Sequence, residues 1–388
     1  MKKKFVHLFS LLVLLGFIST SFAAAPDWTV VPPGGNIQSA IDSVFNDGGG
    51  TVYLEAGTHN VSSAIQLKAK VKIMGAGRLV TIINYTGNGA AFEGTNVSNW
   101  GIKDLRITSS VDGENGILLN HGTEGNMDNL WITGFSKNAI CLNSDGWSNH
   151  IIDCVLIGNN TGIFMGNQSN GVIVSRCLIY GNTENGIHVS YANGCQIMTT
   201  QFGDNGIGIH IAAANGNSST KGLKITNNYF ESLKPLYIDE AYGYAQSVDN
   251  LTFSDNYVWT RGGNYSVVAD NPNGGLCGMV SGNHFWGVNL AGVRTVNSND
   301  RLLVVGGLAY GPGWSGGTSK PLLDNNNGTS GSSSIEIDYK RITIKDVVRL
   351  VPRATAPSSP TQGCIYFNSG SAKLMVYDGT NWKTVTWQ

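Results

Sequence analysis

Five side chains that can move protons lie in the middle of this 388-residue chain. They are His188, His210, Tyr237, Asp239 and Asp270. An imidazole acts as a general base near neutral pH, and a phenol can protonate a departing oxygen. Two carboxylates can instead serve as the acid and the base of glycoside hydrolysis. We therefore assign catalysis to these five residues, either β-elimination next to a uronate carboxylate or hydrolysis.

Aromatic and charged residues close to this group suit the binding of sugars. Glu240, Tyr242 and Tyr244 form one short segment, and Lys234 and Arg261 lie on either side of it. Tyrosine rings pack on apolar faces, and cations can neutralise a uronate as charge develops. We assign substrate binding to these five residues. The carboxylates are compatible with Ca²⁺, but the sequence requires no cofactor, and no cysteine and histidine spacing indicates zinc.

An internal repeat can bring such distant residues together. A small residue followed by alternating apolar positions recurs at intervals of 23, 23, 24 and 22 residues, at 116–119, 139–142, 162–165, 186–189 and 208–211. A period of this length indicates stacked coils that share one core. Strand alternation then places Ile187 and Ile209 inside and His188 and His210 outside, one coil apart.

A second column runs in register with the first. Eight coils are visible through positions such as 105/107, 130/132 and 283/285. Asn228, Asn256 and Asn283 are expected to stack as an asparagine ladder at a turn. Cys154 and Cys177 share an inward column, where they form either a disulfide or two buried free thiols.

The opening of the chain carries a family resemblance. Asn36 to Asp42, Gly49 to His59, Ile73 to Gly77 and Thr81 to Ile83 resemble the start of the pectate-lyase-like (pectin lyase-like) right-handed parallel β-helix superfamily. The resemblance covers roughly residues 27 to 300. It implies an all-β, right-handed single-stranded parallel β-helix with an N-terminal capping helix and a small C-terminal β module. The catalytic motifs of its galacturonases, pectate lyases and alginate epimerases are absent, so no catalytic residue carries over.

Export is expected from the first residues. Lys2 to Lys4 precede an apolar run from Leu8 to Ile18 and a small-residue site near Ala24, which is typical of a signal peptide. The expected location is extracellular or periplasmic, with no membrane span. We divide the chain into a signal peptide (1–24), the β-helix (26–300), an irregular β-rich extension (301–353), a linker (354–360) and a small β-hairpin module (361–388).

Composition limits the partners. Loss of the three N-terminal lysines leaves 22 basic against 26 acidic residues, a net charge of −4, which argues against nucleic acid as a partner. The last module is expected to form two paired strands, from Gly363 to Asn368 and from Lys373 to Trp382, and it is a candidate for self-association. Polysaccharide is the expected ligand.

Two classes of function remain open. The first is a secreted lyase or glycoside hydrolase that acts on an acidic polysaccharide in a groove on the β-helix. The second is a non-catalytic, carbohydrate-binding surface adhesin similar to a tailspike. Outward polar and aromatic residues concentrate between positions 187 and 270, whereas a plain rod would spread them evenly. This concentration favours the enzyme.

Overall fold

The computed structural model describes residues 28–109, 111, 113–212, 219–239, 247–270, 276–295, 301–311, 323–324, 355–356, 362 and 364–386. The predicted signal peptide and most of the predicted linker lie outside these residues. The described residues fall into two compact units, one before and one after residue 336. Within this part of the chain, no helix has the length and apolar character needed to cross a bilayer.

The first unit is a right-handed parallel β-helix in which three parallel sheets share one core. Sheet 1 contains Trp28–Val31, Gly50–Leu54, Val71–Gly75, Gly101–Lys103, Asn126–Asp128, His150–Ile152, Ser169–Asn170, Ile173–Ser175, Ala192–Asn193, Gln196–Met198, Ser219–Lys221, Lys224–Thr226, Ser247–Ser254, Leu276–Ser281 and Arg301–Val305. Sheet 2 contains Gly57–Val61, Thr81–Tyr85, Arg106–Ser109, Trp131–Thr133, Val155–Ile157, Leu178–Tyr180, Gln201–Gly203, Tyr229–Ser232, Tyr257–Thr260, His284–Trp286 and Leu308–Tyr310. Sheet 3 contains Ile65–Gln66, Ala90–Ser98, Asn115–Thr123, Asn138–Ser144, Thr161–Asn167, Asn185–Val189, Ile207–Ala212, Leu236–Asp239, Tyr265–Asp270, Ala291–Thr295 and Leu323–Asp324.

The predicted repeat corresponds to sheet 3. Ile187 pairs in register with Ile209, and both side chains are fully buried in the core. Sheets 2 and 3 each contain eleven strands in the described residues, more than the eight coils seen in the sequence. Each parallel strand pairs with the coils above and below it, so the apolar column of one coil continues that of the next.

An α-helix, Ile37–Asn46, covers the N-terminal end of the core as predicted. The side chain of Asn36 accepts a hydrogen bond from the backbone N–H of Ser39 and caps the helix. The helix buries Ile41 and Val44 against the first strands of sheet 1. This cover protects the end of the core, where unpaired strand edges would otherwise invite association.

The expected asparagine ladder is present between sheets 1 and 2. Asn228 Nδ2 donates to Asn256 Oδ1 at 3.1 Å, and Asn256 Nδ2 donates to Asn283 Oδ1 at 2.9 Å. All three side chains are buried. A second buried ladder, which the sequence analysis missed, lies between sheets 2 and 3 and consists of Asn159, Asn182 and Asn205.

The two stacked cysteines are free thiols. Cys154 and Cys177 are both buried, and each thiol donates to backbone carbonyl oxygens, for example Cys154 Sγ to Ile152 O at 3.3 Å. This confirms the simpler of the two alternatives, in which sulfur atoms fill a core column.

The stack continues beyond residue 300. Arg301–Val305 pairs with Leu276–Ser281, and Leu308–Tyr310 pairs with His284–Trp286. Gly306 and Gly307 form the tight turn between these sheet 1 and sheet 2 strands of one coil, with φ of 61° and 90°.

The second unit contains a small antiparallel sheet of three strands, Ile365–Asn368, Lys373–Tyr377 and Trp382–Thr384. The sequence predicted one strand from Lys373 to Trp382. A turn divides it, because the Asp378 carboxylate accepts hydrogen bonds from the N–H groups of Thr380 and Asn381.

Candidate functional site

A row of rings crosses the outward face of sheet 3. Phe164, His188, His210 and Tyr237 occupy the same position on four consecutive strands. Their ring centroids are 5.1, 5.1 and 5.7 Å apart in that order. The two imidazoles point away from the core, as predicted, yet they are only 5% and 8% exposed. Rings on both sides cover much of each imidazole.

His210 and Asp239 form a close pair across two coils. His210 Nε2 lies 2.8 Å from Asp239 Oδ1, and both side chains are largely shielded from solvent. An ionised carboxylate only accepts hydrogen bonds, so Nε2 carries the proton that it donates. In the neutral ring, Nδ1 then keeps its lone pair, and no described residue bonds to it. This geometry orients a base and leaves its basic nitrogen available.

His188 remains neutral in its position beside this pair. Its Nε2–H donates to the carbonyl oxygen of Ala212 at 3.3 Å. The pKa of His188 is lowered to about 4, mainly by burial and also by the neighbouring His210, against weaker opposing effects of the Ala212 hydrogen bond and Asp239. His188 is therefore an uncharged hydrogen-bonding ring near neutral pH.

Tyr237 retains its proton. Its hydroxyl lies 3.4 Å from Asp270 Oδ2, to which it can donate. Burial raises the pKa of the phenol, and the carboxylates of Asp239 and Asp270 raise it further. Asp239 and Asp270 also occupy paired positions on neighbouring strands, as predicted. Tyr237 is thus a proton donor held next to the His210 base.

One cation lies against the Tyr237 ring, and a second lies two coils away in the same row. Lys234 Nζ lies 4.4 Å from the centre of the Tyr237 ring. Arg294 lies two coils further along the same row, since it pairs with Val268, which pairs with Tyr237. The sequence analysis missed Arg294, although continuing the strand alternation through Ala291–Thr295 would have located it.

Arg261 lies apart from these residues. Its guanidinium binds Asp204 and Glu231 beside the outward face of sheet 2, above the Trp259 ring. These contacts occupy its donors, and none joins it to the described residues of the sheet 3 row. The other three predicted binding residues, Glu240, Tyr242 and Tyr244, lie outside the described residues.

Among the described residues, no group of three or more histidine, cysteine, aspartate or glutamate side chains is arranged to hold a metal ion. The site as described consists of an oriented imidazole, a protonated phenol, two carboxylates and two nearby cations.

A family model described as "right handed beta helix region" matches residues 88–258, which include the His188, His210, Tyr237 and Asp239 positions. The solved structure of ORF18 from Geobacillus virus E2 is similar to this chain with a TM-score of 0.57 at 16% identity. That similarity covers 90% of this chain and 82% of the viral chain. At this level of identity it shows the fold alone.

Two curated proteins of Azotobacter vinelandii share a shorter segment with this chain. Mannuronan C5-epimerase AlgE4 is 36% identical over 115 residues, and alginate lyase 7 is 34% identical over 114 residues. Each segment covers 26% of this chain. The matched segment spans 19% of the length of the epimerase and 12% of the length of the lyase.

Proposed function

From the right-handed parallel β-helix and its outward row of rings, we propose that this chain is a polysaccharide lyase that acts on a uronate-containing chain lying along sheet 3. One observation carries the proposal: the 2.8 Å pair of His210 Nε2 and Asp239 Oδ1, next to the protonated Tyr237. The segment shared with a C5-epimerase and an alginate lyase supports it, because both activities begin by breaking the C5–H bond of a uronate.

Each group has a defined part in the reaction. His210 Nδ1 removes the C5 proton of the uronate, and that electron pair forms a C4=C5 double bond as the C4–O bond breaks. The departing oxygen takes the proton of Tyr237. A proton from His210 then returns to the Tyr237 phenolate, so both groups regain their starting state. Lys234 and Arg294 offset the negative charge that builds on the uronate carboxylate.

Hydrolysis is the second candidate, and one observation favours it. Asp239 and Asp270 hold paired positions on adjacent strands, whose spacing is about 4.8 Å. A separation of about 5–5.5 Å between two carboxyl groups is typical of retaining glycosidases. In this chain, however, Asp239 is engaged by His210 and Asp270 by Tyr237.

A single assay separates the candidates. The purified chain is incubated with acidic and neutral polysaccharides, and both unsaturated products and new reducing ends are measured. Unsaturated products with reducing ends support the lyase, and reducing ends alone support the hydrolase. Binding without either product would overturn the enzymatic proposal in favour of the adhesin.

We also propose that the chain is exported, on the strength of its N-terminal 24 residues. Expression with and without these residues, followed by fractionation, tests this proposal. Self-association through the C-terminal module stays a prediction, which light scattering of chains with and without residues 361–388 would test.

A further inference from the structure

A pocket of about 470 Å³ lies on sheet 3, on the N-terminal side of the His210 and Asp239 pair. Its floor is the continuation of the ring row: Leu118, Cys141, Phe164 and His188. Phe164 is separated from His210 by two coil steps of about 4.8 Å each. A polymer that runs along sheet 3 through the reaction site therefore also passes over this pocket.

The floor carries no charge. Leu118 and Phe164 are apolar, and burial raises the pKa of the Cys141 thiol to about 12, so the sulfur stays protonated. His188, with its pKa lowered to about 4, is also neutral. Such a floor suits the C–H face of a sugar ring, because ligand sites combine apolar surface with a few placed polar groups.

Side-chain amides form the polar part of the lining. Asn138 Nδ2 donates to Asn115 Oδ1 at 2.8 Å, and Asn143 and Asn160 also line the pocket. An amide both donates and accepts hydrogen bonds, as a sugar hydroxyl does. Amides are therefore better partners for hydroxyl groups than for a carboxylate, which only accepts.

The charges at the rim disfavour an anion. Lys137 Nζ lies 2.8 Å from Glu114 Oε1, so this cation is already paired. Glu184 Oε2 accepts a hydrogen bond from Asn160 Nδ2 at 3.1 Å. Among the described residues that line the pocket, two carboxylates, Glu114 and Glu184, outnumber the one cation, Lys137. A uronate here would meet a like charge, whereas at the reaction site Lys234 lies against the Tyr237 ring and Arg294 lies two coils beyond it.

We propose that this pocket binds an uncharged, hydroxyl-bearing sugar unit, so that the substrate is a heteropolysaccharide in which a uronate at His210 is joined to neutral sugars. The placement of the uronate rests on the proposed lyase function. The preference of the pocket for an uncharged sugar rests on the pocket's own lining and is tested separately.

The first test compares substrates. The full chain is assayed for unsaturated products on polygalacturonate and polymannuronate, which are uronate homopolymers, and on gellan, in which uronate is joined to neutral hexoses. We expect kcat/KM to be about two- to fivefold higher on gellan, the size expected for relief of one like-charge contact near the surface. Homopolymers cleaved as fast as gellan would overturn the proposal.

The second test alters the rim. Glu184→Lys should raise kcat/KM on the homopolymers by about two- to fivefold. It should thereby reduce the difference in kcat/KM between gellan and the homopolymers. Glu55→Lys is the matched control, since Glu55 is also exposed but lies at the end of a sheet 1 strand, outside the pocket lining. Equal responses of the two variants would contradict a role for the pocket.

The third test does not need turnover. Calorimetry of the chain with cellotetraose and with tetragalacturonate should show tighter binding of the neutral oligosaccharide, and Phe164→Ala should weaken it. Tighter binding of the uronate, or no binding of cellotetraose, would overturn the proposal. If no polymer is cleaved while cellotetraose binding depends on Phe164, the lyase function fails and the proposal that the pocket binds an uncharged sugar stands.

Discussion

The imidazole of His210 and the carboxylate of Asp239 lie 2.8 Å apart although 29 residues separate them in the chain. Only the stacking of coils makes this possible, because Asp239 is paired in the sheet with Ala212, two residues beyond His210 on the same strand. The carboxylate thus reaches the imidazole diagonally across neighbouring strands, and it fixes which nitrogen carries the proton.

Replacing His210 by alanine removes the proposed base. We expect His210→Ala to lower kcat by about 100- to 10,000-fold, the usual contribution of a positioned acid or base. Steady-state kinetics on the polysaccharide that gives unsaturated products in the proposed assay would measure this loss. His150→Ala, which removes an exposed imidazole on sheet 1, is the control and should retain activity. Full activity of a folded His210→Ala protein would exclude His210 from the reaction.

Asp239 acts through His210, so its substitution should affect kcat and leave KM nearly unchanged. In Asp239→Asn, the amide can donate to Nε2, which would move the imidazole proton to Nδ1 and remove the base. We expect kcat to fall by at least about 100-fold. If KM instead rose by a similar factor while kcat stayed unchanged, Asp239 would have a role in substrate binding.

Tyr237→Phe removes the proposed acid and keeps the ring. The leaving oxygen would lose its proton donor, so we expect kcat to drop by about 100-fold or more. Tyr257→Phe is matched to it, because Tyr257 is an exposed phenol stacked on Tyr229 on sheet 2. Similar kinetics for the two variants would show that the Tyr237 hydroxyl takes no part in the chemistry.

Burial of neutral His188 makes stability depend on pH. The unfolded side chain takes up a proton near pH 6.5, but the folded one does so only near pH 4. The unfolded state therefore binds more protons between these values, and stability contributed by this residue falls as pH decreases through that window. The expected loss is about 3 kcal/mol.

His188→Gln provides the comparison, since its amide can still donate to Ala212 O but does not titrate. Chemical denaturation at several pH values should show a steeper decline for the native chain than for the variant. Parallel curves would mean that His188 does not have a lowered pKa.

Asn256 holds the centre of the buried ladder. In Asn256→Ala, the buried backbone N–H and side-chain amide of Asn228 would lose the acceptor Asn256 Oδ1, and Asn283 Oδ1 would lose a side-chain donor. The expected cost is about 1–3 kcal/mol in the free energy of unfolding. Asn84→Ala breaks a similar bond, from Asn84 Nδ2 to Asn60 Oδ1, at an exposed position and should cost less than about 0.5 kcal/mol. Equal costs in urea titrations would refute the importance of the buried ladder.

The sequence could predict the fold and the order of the row because the repeat keeps its period through the middle coils. Ile187 and Ile209, one period apart, define which neighbours face outward, and this correctly paired His188 with His210 and Asp239 with Asp270. The period weakens after Phe285, so Arg294 and the continuation of the stacked coils at residues 301–310 were missed.

Burial and hydrogen bonding could not be predicted in the same way. An outward position is normally exposed, but His188 and His210 are shielded because the row places rings on both sides of each. Strand alternation predicts which face of the sheet a side chain lies on. It does not predict a diagonal contact such as that of His210 with Asp239, because this contact depends on side-chain rotamers. For the same reason, the pairing of Arg261 with Asp204 and Glu231 was not foreseen.

Each coil supplies one residue to the outward row of sheet 3, and successive coils are joined by in-register pairing. Inserting a whole coil between His188 and His210 would therefore increase the distance from the pocket to the reaction site by about 4.8 Å, while preserving the pocket lining and the pair of His210 and Asp239. Evolution could in this way alter the length of glycan that the protein accommodates by duplicating a short stretch of sequence, without redesigning its chemistry.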